Sequence, residues 1–235
     1  MDYQQEYIDK NPDLNDSDIK DKIDAIDRVL SPTRMKFGAI LDLACGSGKI
    51  LLSLSSRCLS KRNTGVDISE KIINIAREND FENKVNWVVS DIFNLEPDNY
   101  ELILAIDILE HVEDDLKLLN HAKTLGGFMV VKVPIEDNLV NKLVKLLSFR
   151  LVDEHRYTED RYGHIHHYSE GGVMDLIDKS DWGLVSKVYL PLPKRSKLSW
   201  EILRIILFPI WYMSEPLYLK VNGGFLILAL AARHD

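Results

Sequence analysis

Short apolar runs of strand length alternate along the chain with stretches whose apolar residues recur every three or four positions. The runs predict seven strands, at 39–43, 64–67, 85–89, 101–106, 128–133, 184–190 and 225–232. Between them, helical patterns begin near residues 17, 49, 70, 113 and 173. Strands that alternate with helices are typical of an α/β protein with a doubly wound, largely parallel sheet.

The first predicted strand ends in a turn of small residues. Ala44-Cys45-Gly46-Ser47-Gly48 follows Leu43 directly, and a helical pattern resumes at Lys49. Small residues let a ligand approach the backbone, and the N–H groups of the next helix's first turn point toward it. An ordinary tight turn between strand and helix is the other interpretation of this stretch.

An acidic residue, Asp67, ends the second predicted strand. It follows Gly48 by roughly 20 residues, the spacing at which a carboxylate binds ribose hydroxyls in nucleotide-binding units. NAD and S-adenosylmethionine (SAM) both carry a ribose. The dinucleotide motif Gly-x-Gly-x-x-Gly is incomplete here, because Leu51 occupies the position of the last glycine. SAM has no pyrophosphate to place against that helix, so the missing glycine counts against NAD.

Four segments in this order and spacing resemble motifs of the class I SAM-dependent methyltransferases. They are Leu41-Asp42-Leu43-Ala44-Cys45-Gly46-Ser47-Gly48, Gly65-Val66-Asp67-Ile68-Ser69, Val89-Ser90-Asp91-Ile92 and Leu109-Glu110-His111-Val112. The resemblance covers about residues 37–189, with a matching last strand near 224–233. It implies a Rossmann-like, seven-stranded, mostly parallel sheet whose last strand is antiparallel between strands 5 and 6. The family commonly has glycine where this chain has Ala44.

The resemblance also implies where SAM would bind. The turn from Ala44 to Gly48 would hold its amino-acid end, Asp67 its ribose, and Asp91 the adenine amino group. The alternative role of Asp91 is a helix or turn cap. The full set of expected cofactor contacts is Asp42, Ala44, Cys45, Gly46, Gly48, Asp67, Ile68, Asp91, Ile92 and Ile106.

The segment from Asp107 to His111 follows the fourth predicted strand, where catalytic help is needed. In ubiquinone-pathway and small-RNA 2′-O-methyltransferases a Glu-x-x-Glu-His run here binds a divalent cation, and this chain has Asp107 for the first glutamate. Mg²⁺ held by Asp107, Glu110 and His111 is therefore one interpretation. The others are His111 as a general base or orienting group, and a structural role. We expect the catalytic residues to be His111, Glu110 and His166.

A histidine-rich stretch, Gly163-His164-Ile165-His166-His167-Tyr168, precedes a helix capped by Ser169. In many small-molecule methyltransferases a similar loop borders the substrate site. On an extended segment His164 and His166 should share one side, with His167 facing away. A structural role, with the histidines bonded to backbone at the sheet edge, is the alternative.

Two insertions interrupt the alternation, at 136–168 after the fifth strand and at 191–222 after the sixth. We expect them to form the acceptor pocket of a single domain, 1–235, whose residues 1–36 form an N-terminal helical cap. The cap either covers the site or packs on the sheet. The apolar surface within 198–219 has four candidate roles: a substrate wall, a peripheral membrane contact, a homodimer interface, or core packing.

Composition and charge limit the kinds of partner and the cellular location that the sequence predicts. The net charge of −8 and the lack of a long basic run disfavour a nucleic-acid partner. The two cysteines, Cys45 and Cys58, fit reduced cytoplasmic thiols better than a disulfide framework. The first residues show no signal peptide, and the apolar stretch 202–213 is too short to span a bilayer. We therefore predict a cytoplasmic protein without a transmembrane segment.

These observations predict a SAM-dependent methyltransferase that modifies a small-molecule acceptor, at oxygen. Three alternatives stay open: a small-molecule N-methyltransferase, an NAD(P)-dependent Rossmann oxidoreductase, and a SAM-binding module without turnover.

Overall fold

The structure, a computed structural model, describes residues 18–58, 60–147, 163–192 and 198–233. Parts of the predicted cap (1–36) and of both predicted insertions therefore lie outside the described residues.

Seven strands form one sheet. They are β1 (Ala39–Leu43), β2 (Arg62–Asp67), β3 (Asn86–Val89), β4 (Leu102–Ile106), β5 (Phe128–Ile135), β6 (Trp182–Pro191) and β7 (Gly224–Ala232). Their order is β3-β2-β1-β4-β5-β7-β6, and β7 alone runs antiparallel to both of its neighbours. The predicted sheet, including the antiparallel last strand between strands 5 and 6, is confirmed. The order reverses between β1 and β4, which places a ligand-binding crevice at their carboxyl ends.

Eight α-helices occur in the described ranges. They are α1 (Ile19–Leu30), α2 (Lys49–Cys58), α3 (Glu70–Asn79), α4 (Asp115–Leu125), α5 (Leu139–Leu147), α6 (Glu170–Lys179), α7 (Leu198–Met213) and α8 (Glu215–Asn222). Both serines predicted as caps act as caps: Ser69 accepts from Ile72 N, and Ser169 from Gly172 N. Each satisfies a backbone donor that the first helical turn leaves unpaired.

The core has two layers, one on each face of the sheet. Along β4, Ile103 and Ala105 pack into one layer, and Leu102, Leu104 and Ile106 into the other. This alternation follows from the two-residue period of a strand. Helices α1 to α3 cover one face, and α4, α6 and α8 cover the other. The sheet therefore presents its carboxyl edge, rather than a face, to ligands.

The N-terminal helix packs on the sheet, which was one of the two interpretations of the cap; the other was that it covers the site. Ile23, Ala25, Ile26 and Val29 are buried along one side of α1. The carbonyl of Val29 also accepts a hydrogen bond from the Ser186 hydroxyl on β6.

The helices after β6 behave differently from each other. In α8, Tyr218 and Leu219 are fully buried in the core. In α7, Leu207, Phe208, Ile210 and Trp211 are partly buried and pack against the core, whereas other apolar residues of this helix face solvent. Large apolar residues of α7 that are exposed include Ile205, Ile206, Tyr212 and Met213. Among the described residues, no helix combines the length and the apolar character needed to cross a membrane.

Candidate functional site

The turn after β1 faces open space at one glycine and packs tightly at another. Ala44, Gly46 and Gly48 all have positive φ, at 59°, 55° and 77°. A Cβ added to Gly46 would meet nothing within 4 Å, whereas one on Gly48 would lie 2.4 Å from the Trp87 ring. Gly48 is therefore required for packing, while Gly46 leaves the backbone accessible to a ligand. The positive φ of Ala44 is a conformation that glycine adopts more readily than alanine, in line with the glycine that the resembling motif has there.

Asp67 holds this turn in shape. Its Oδ2 accepts from Gly46 N at 3.3 Å, and its Oδ1 accepts from Ser69 N at 2.9 Å. Burial raises the pKa of Asp67, and these backbone bonds partly oppose the rise. The carboxylate thus lies at the carboxyl edge beside the glycine turn, where the sequence predicted a ribose contact.

Asp42 lies beneath the same turn, inside β1. Burial raises the pKa of Asp42 to about 8, and the nearby charge of Asp67 adds to the effect. The carboxyl group is only 3% exposed, so it lies beneath the surface of the site.

The three residues expected around the adenine, Ile68, Asp91 and Ile92, differ in solvent exposure. Asp91 Oδ1 accepts from Phe93 N at 2.9 Å and caps the short helix Ile92–Asn94, which is the alternative role considered for it. Ile68 is 60% exposed, although Ile92 is buried. An exposed isoleucine at the end of β2 offers an apolar surface at the edge where a ring would lie. Ile106, at the end of β4, is buried as well.

Asp107 is held by two lysines, so the predicted metal triad does not form. Lys132 on β5 pairs with Asp107 Oδ1, and Lys22 on α1 lies 3.1 Å from Oδ2. Burial alone would raise the pKa of Asp107, but Lys132 and Lys22 together hold it well below its usual range. The interpretation of Asp107 as a metal ligand with Glu110 and His111 is therefore not supported, because the two lysines already offset the charge of Asp107.

Both lysines are nearly inaccessible to solvent. Lys22 also contacts Asp18 at 2.7 Å, and the ammonium of Lys132 lies 3.6 Å from the centroid of the Phe225 ring. The backbone of Asp107 has a φ of 54°, which is uncommon for a residue other than glycine. Such strain persists only where the surroundings fix it, and here the lysines do so.

Glu110, His111 and His164 come together where β4 ends. One ligand atom from each lies within 4.8 Å of the other two. Burial raises the pKa of Glu110 to about 8, with a further contribution from Asp107. Its Oε2 has no hydrogen-bond partner among the described residues. The buried carboxyl group therefore has an oxygen available to a hydrogen-bond donor or a cation.

The ring of His111 is oriented by the loop that contains His164. Its Nδ1 lies 3.3 Å from the carbonyl oxygen of Gly163, and the His111 and His164 rings meet edge to face at 5.0 Å. Burial lowers the pKa of His111 to about 4, and His164 lowers it further. Because a carbonyl oxygen only accepts, Nδ1 carries the proton of the neutral ring, and Nε2 keeps its lone pair.

The histidine-rich segment is arranged differently from the prediction. His164 and His167, rather than His164 and His166, share a partner: both reach the carboxylate of Glu136. The expected alternation is wrong because the segment is not a regular strand; its described residues form a loop with one bridge at Tyr168.

His166 faces away from the cluster. Its Nε2 lies 2.8 Å from the carbonyl oxygen of Val112, and its ring stacks on Tyr168 at 5.9 Å. The Tyr168 hydroxyl donates to Asp115 Oδ2 at 2.8 Å. These contacts correspond to the structural role that the sequence left open for this loop.

Three residues of the site were missed by sequence reasoning: Lys22, Lys132 and Glu136. Lys132 interrupts an otherwise apolar strand, and a charged residue in a buried run is a signal in itself. Glu136 directly follows the end of β5, the position that supplied the other candidate acids. Lys22 lies on the apolar side of α1 and carries no comparable signal.

Comparisons with known proteins agree with this geometry. Residues 40–125 match the family described as "Methyltransferase domain". A ubiquinone biosynthesis O-methyltransferase from Hydrogenovibrio crunogenus is 33% identical over 135 residues, which cover 52% of this chain and 55% of that protein. The chain thus spans about half the length of that relative. A protein of the same name from Coxiella burnetii is 28% identical, over 74% of this chain and 81% of its own length.

Among solved structures, the N-methyltransferase NodS from Bradyrhizobium japonicum, in complex with S-adenosylhomocysteine, is similar in fold. Its TM-score is 0.62 at 16% identity, and the alignment covers 98% of this chain and 96% of NodS. The sheet order and the open glycine turn define a nucleotide-binding α/β protein with its site at the carboxyl edge. Within that class, the chain is similar to SAM-dependent methyltransferases: residues 40–125 match the methyltransferase domain, and the relatives above are named as O-methyltransferases.

Proposed function

We propose that the protein transfers the methyl group of SAM to a hydroxyl oxygen of a small-molecule acceptor. The observation that carries this proposal is the cluster of Glu110, His111 and His164, which follows β4 directly. Because β4 pairs with β1, the cluster lies beside the glycine turn, where the methyl donor is expected. The names of the relatives, ubiquinone biosynthesis O-methyltransferases, support oxygen as the accepting atom.

Two features of the glycine-turn edge support SAM as the methyl donor. The space at Gly46 would admit a ligand to the backbone, and the exposed Ile68 would cover one side of an adenine. The Asp67 carboxylate accepts from the backbone N–H groups of Gly46, Ser69 and Ile68, which leaves one of its four acceptor sites for a ribose hydroxyl.

The protein's part in the reaction is alignment and proton removal. SAM supplies a methyl group on a sulfonium, which leaves as neutral S-adenosylhomocysteine when the acceptor oxygen displaces it. His111 would take the hydroxyl proton at Nε2, since Gly163 fixes the proton of the neutral ring on Nδ1. Glu110, protonated at pH 7 because burial raises its pKa to about 8, would accept a hydrogen bond from the resulting imidazolium at its carbonyl oxygen. His166 is not placed in this step.

Calorimetry with SAM, S-adenosylhomocysteine and NAD tests the cofactor. We expect binding of the first two. Asp67→Ala should weaken SAM binding by about 1.5–3 kcal/mol, the range for hydrogen bonds to a charged group. Thermal unfolding of the variant checks that the turn survives the loss of Asp67. Tight binding of NAD without SAM would overturn the proposal. A methyl-transfer screen over phenols, amines, sugars and lipid-linked compounds then separates O- from N-methylation.

A divalent cation such as Mg²⁺ is a second candidate at the same place, on one observation. Glu110 Oε2 is buried without a partner among the described residues, and His111 and His164 offer nitrogens close to it. These three residues, without Asp107, would hold the ion, which would lower the pKa of a bound hydroxyl. If EDTA abolishes methyl transfer and Mg²⁺ restores it, the three residues are ligands. Unchanged activity in EDTA excludes this candidate.

Several predictions from the sequence stay predictions. They are a cytoplasmic location, a single domain over 1–235, an acceptor pocket formed by the insertions, and a homodimer or membrane contact through 198–219.

A further inference from the structure

Glu136 lies where β5 meets the histidine-rich loop. The backbone N–H groups of Glu136 and Asp137 both donate to the carbonyl of Tyr168, each at 3.0 Å. Ile135 forms a bridge with Tyr168 as well. Main-chain bonds therefore dock this end of the loop on β5 without help from the Glu136 side chain.

The carboxylate of Glu136 is divided between two imidazoles. Its Oε1 lies 3.0 Å from His164 Nδ1, and its Oε2 lies 2.7 Å from His167 Nδ1. The three side chains are between 11% and 16% exposed, so water competes little for these bonds. Hydrogen bonds to an ionised carboxylate are among the stronger ones in proteins.

This arrangement fixes how His164 faces its neighbours. An ionised carboxylate only accepts, so Nδ1 of His164 must carry a proton, and in the neutral ring Nε2 keeps the lone pair. The ring is thereby held edge to face against His111 at 5.0 Å. Without the carboxylate, the ring could rotate or take the other tautomer.

We propose that Glu136 is a positioning residue that sets the ring orientation and tautomer of His164 in the catalytic cluster. Glu136 does not contact the acceptor in this proposal; it acts through His164. The role rests on the proposed function, because the cluster is taken to serve methyl transfer. It goes beyond that function by assigning a task to a residue outside the motifs of the family match, which ends at residue 125.

Glu136→Gln and Glu136→Asp test the proposal, with Asp137→Asn as the matched control. Asp137 is adjacent in the chain, and its carboxylate pairs with Lys142 at the surface. Gln can accept from one imidazole but not both. We expect Glu136→Gln to lower kcat by about 10–100-fold, the usual effect of losing a group that orients a functional histidine. The KM for SAM should not change, Glu136→Asp should recover part of kcat, and Asp137→Asn should behave as wild type.

The ¹⁵N NMR signals of the histidine rings give a readout that needs no turnover. We expect His164 in the wild type to be protonated at Nδ1, and Glu136→Gln to shift His164 toward a mixture of tautomers. A wild-type His164 protonated only at Nε2 overturns the proposal. So does a Glu136→Gln variant that keeps full kcat. If methyl transfer is absent from the wild type while the NMR result is as expected, the proposed function fails and the positioning of His164 stands.

If Glu136→Gln does not fold, Glu136→Asp decides alone. It keeps the charge but shortens the side chain by one methylene, so it should retain the fold and lose kcat by a smaller factor. A Glu136→Asp variant with an unchanged kcat and unchanged His164 signals would contradict the proposal.

Discussion

The two halves of the sheet's carboxyl edge are built in different ways. At the ends of β1 to β3, the cofactor half, most side-chain contacts are short in sequence: Asp67 bonds Ser69 and Asp91 bonds Phe93, each two residues away, and the bond from Asp67 to Gly46 spans 21 residues. At the ends of β4 and β5, the histidine half, Glu136 meets His164 across 28 residues and His111 meets Gly163 across 52. A site made of local turns is visible as a motif, whereas one made of long-range contacts is visible only as scattered residues.

The halves also differ in electrostatics. In the cofactor half, Asp42 and Asp67 have raised pKa values, mainly because they are buried. In the histidine half, Asp107 and Glu110 are three residues apart and shift in opposite directions, since two lysines surround only Asp107. A carboxylate held charged by lysines stabilises structure. One left neutral and partly unsatisfied is available for chemistry.

The largest effect should come from removing His111. We expect His111→Ala to lower kcat by about 10²–10⁴-fold, because a positioned base contributes about that much. The affinity for SAM should stay near wild type, since His111 lies in the histidine half. Steady-state kinetics and calorimetry measure both.

His121 offers the matched comparison for the other half. Its Nε2 bonds the carbonyl of Ile92, beside the expected adenine position, at 2.9 Å. His121→Ala should affect SAM binding more than kcat. A fully active His111→Ala, or a His121→Ala variant with an equal loss of kcat, would contradict the division between the halves.

The next effect concerns stability. Lys132→Met removes one of two lysines around the buried Asp107, and leaving a buried charge underpaired costs about 3–5 kcal/mol. Urea unfolding at pH 7 should show a loss in that range. Lys132→Met combined with Asp107→Asn should recover part of it, because the buried negative charge is then gone as well. A single variant as stable as the wild type would show that Lys22 alone suffices for Asp107.

The same division explains how much the sequence could predict. The seven strands follow from apolar runs and the glycine turn from a local motif, whereas the antiparallel place of the last strand between strands 5 and 6 came from the family resemblance. The Asp91 cap was foreseen as an alternative for the same reason, because a capping bond spans two residues. In the cofactor half, composition and spacing carry nearly all of the information.

In the histidine half, spacing along the chain did not predict which side chains come together. Asp107, Glu110 and His111 are close in sequence, yet Asp107 turns to Lys22 and Lys132, and the third member of the cluster is His164. The orientation of His166 and His167 depended on a backbone path that is not a regular strand. Glu136, Lys22 and Lys132 act through tertiary contacts, which a periodic pattern does not encode.

The last effect concerns Asp42, where the cofactor half carries a cost in stability that depends on pH. The pKa of Asp42 is raised to about 8 by burial and by Asp67, against about 3.9 in an unfolded chain. Between those values the folded protein binds a proton that the unfolded chain does not. Stability therefore falls as pH rises through this window. Asp42→Asn removes the titration, so the variant should gain on the wild type from pH 5 to pH 8.

Thermal unfolding at pH 5, 6.5 and 8 measures this gain. Because the folded protein keeps about one extra proton over this range, the gain should grow by up to about 4 kcal/mol between pH 5 and pH 8. Asp98→Asn is the control of opposite sign, because the backbone N–H of Asn99 and the Arg62 guanidinium lower the pKa of Asp98. Its effect should be a loss of stability that stays constant from pH 5 to pH 8, since Asp98 is ionised in both states over that range. A pH-independent difference for Asp42→Asn would mean that the carboxyl group is already charged in the folded protein. Burial of the Asp42 carboxyl group would then not be the source of a pH-dependent cost in stability.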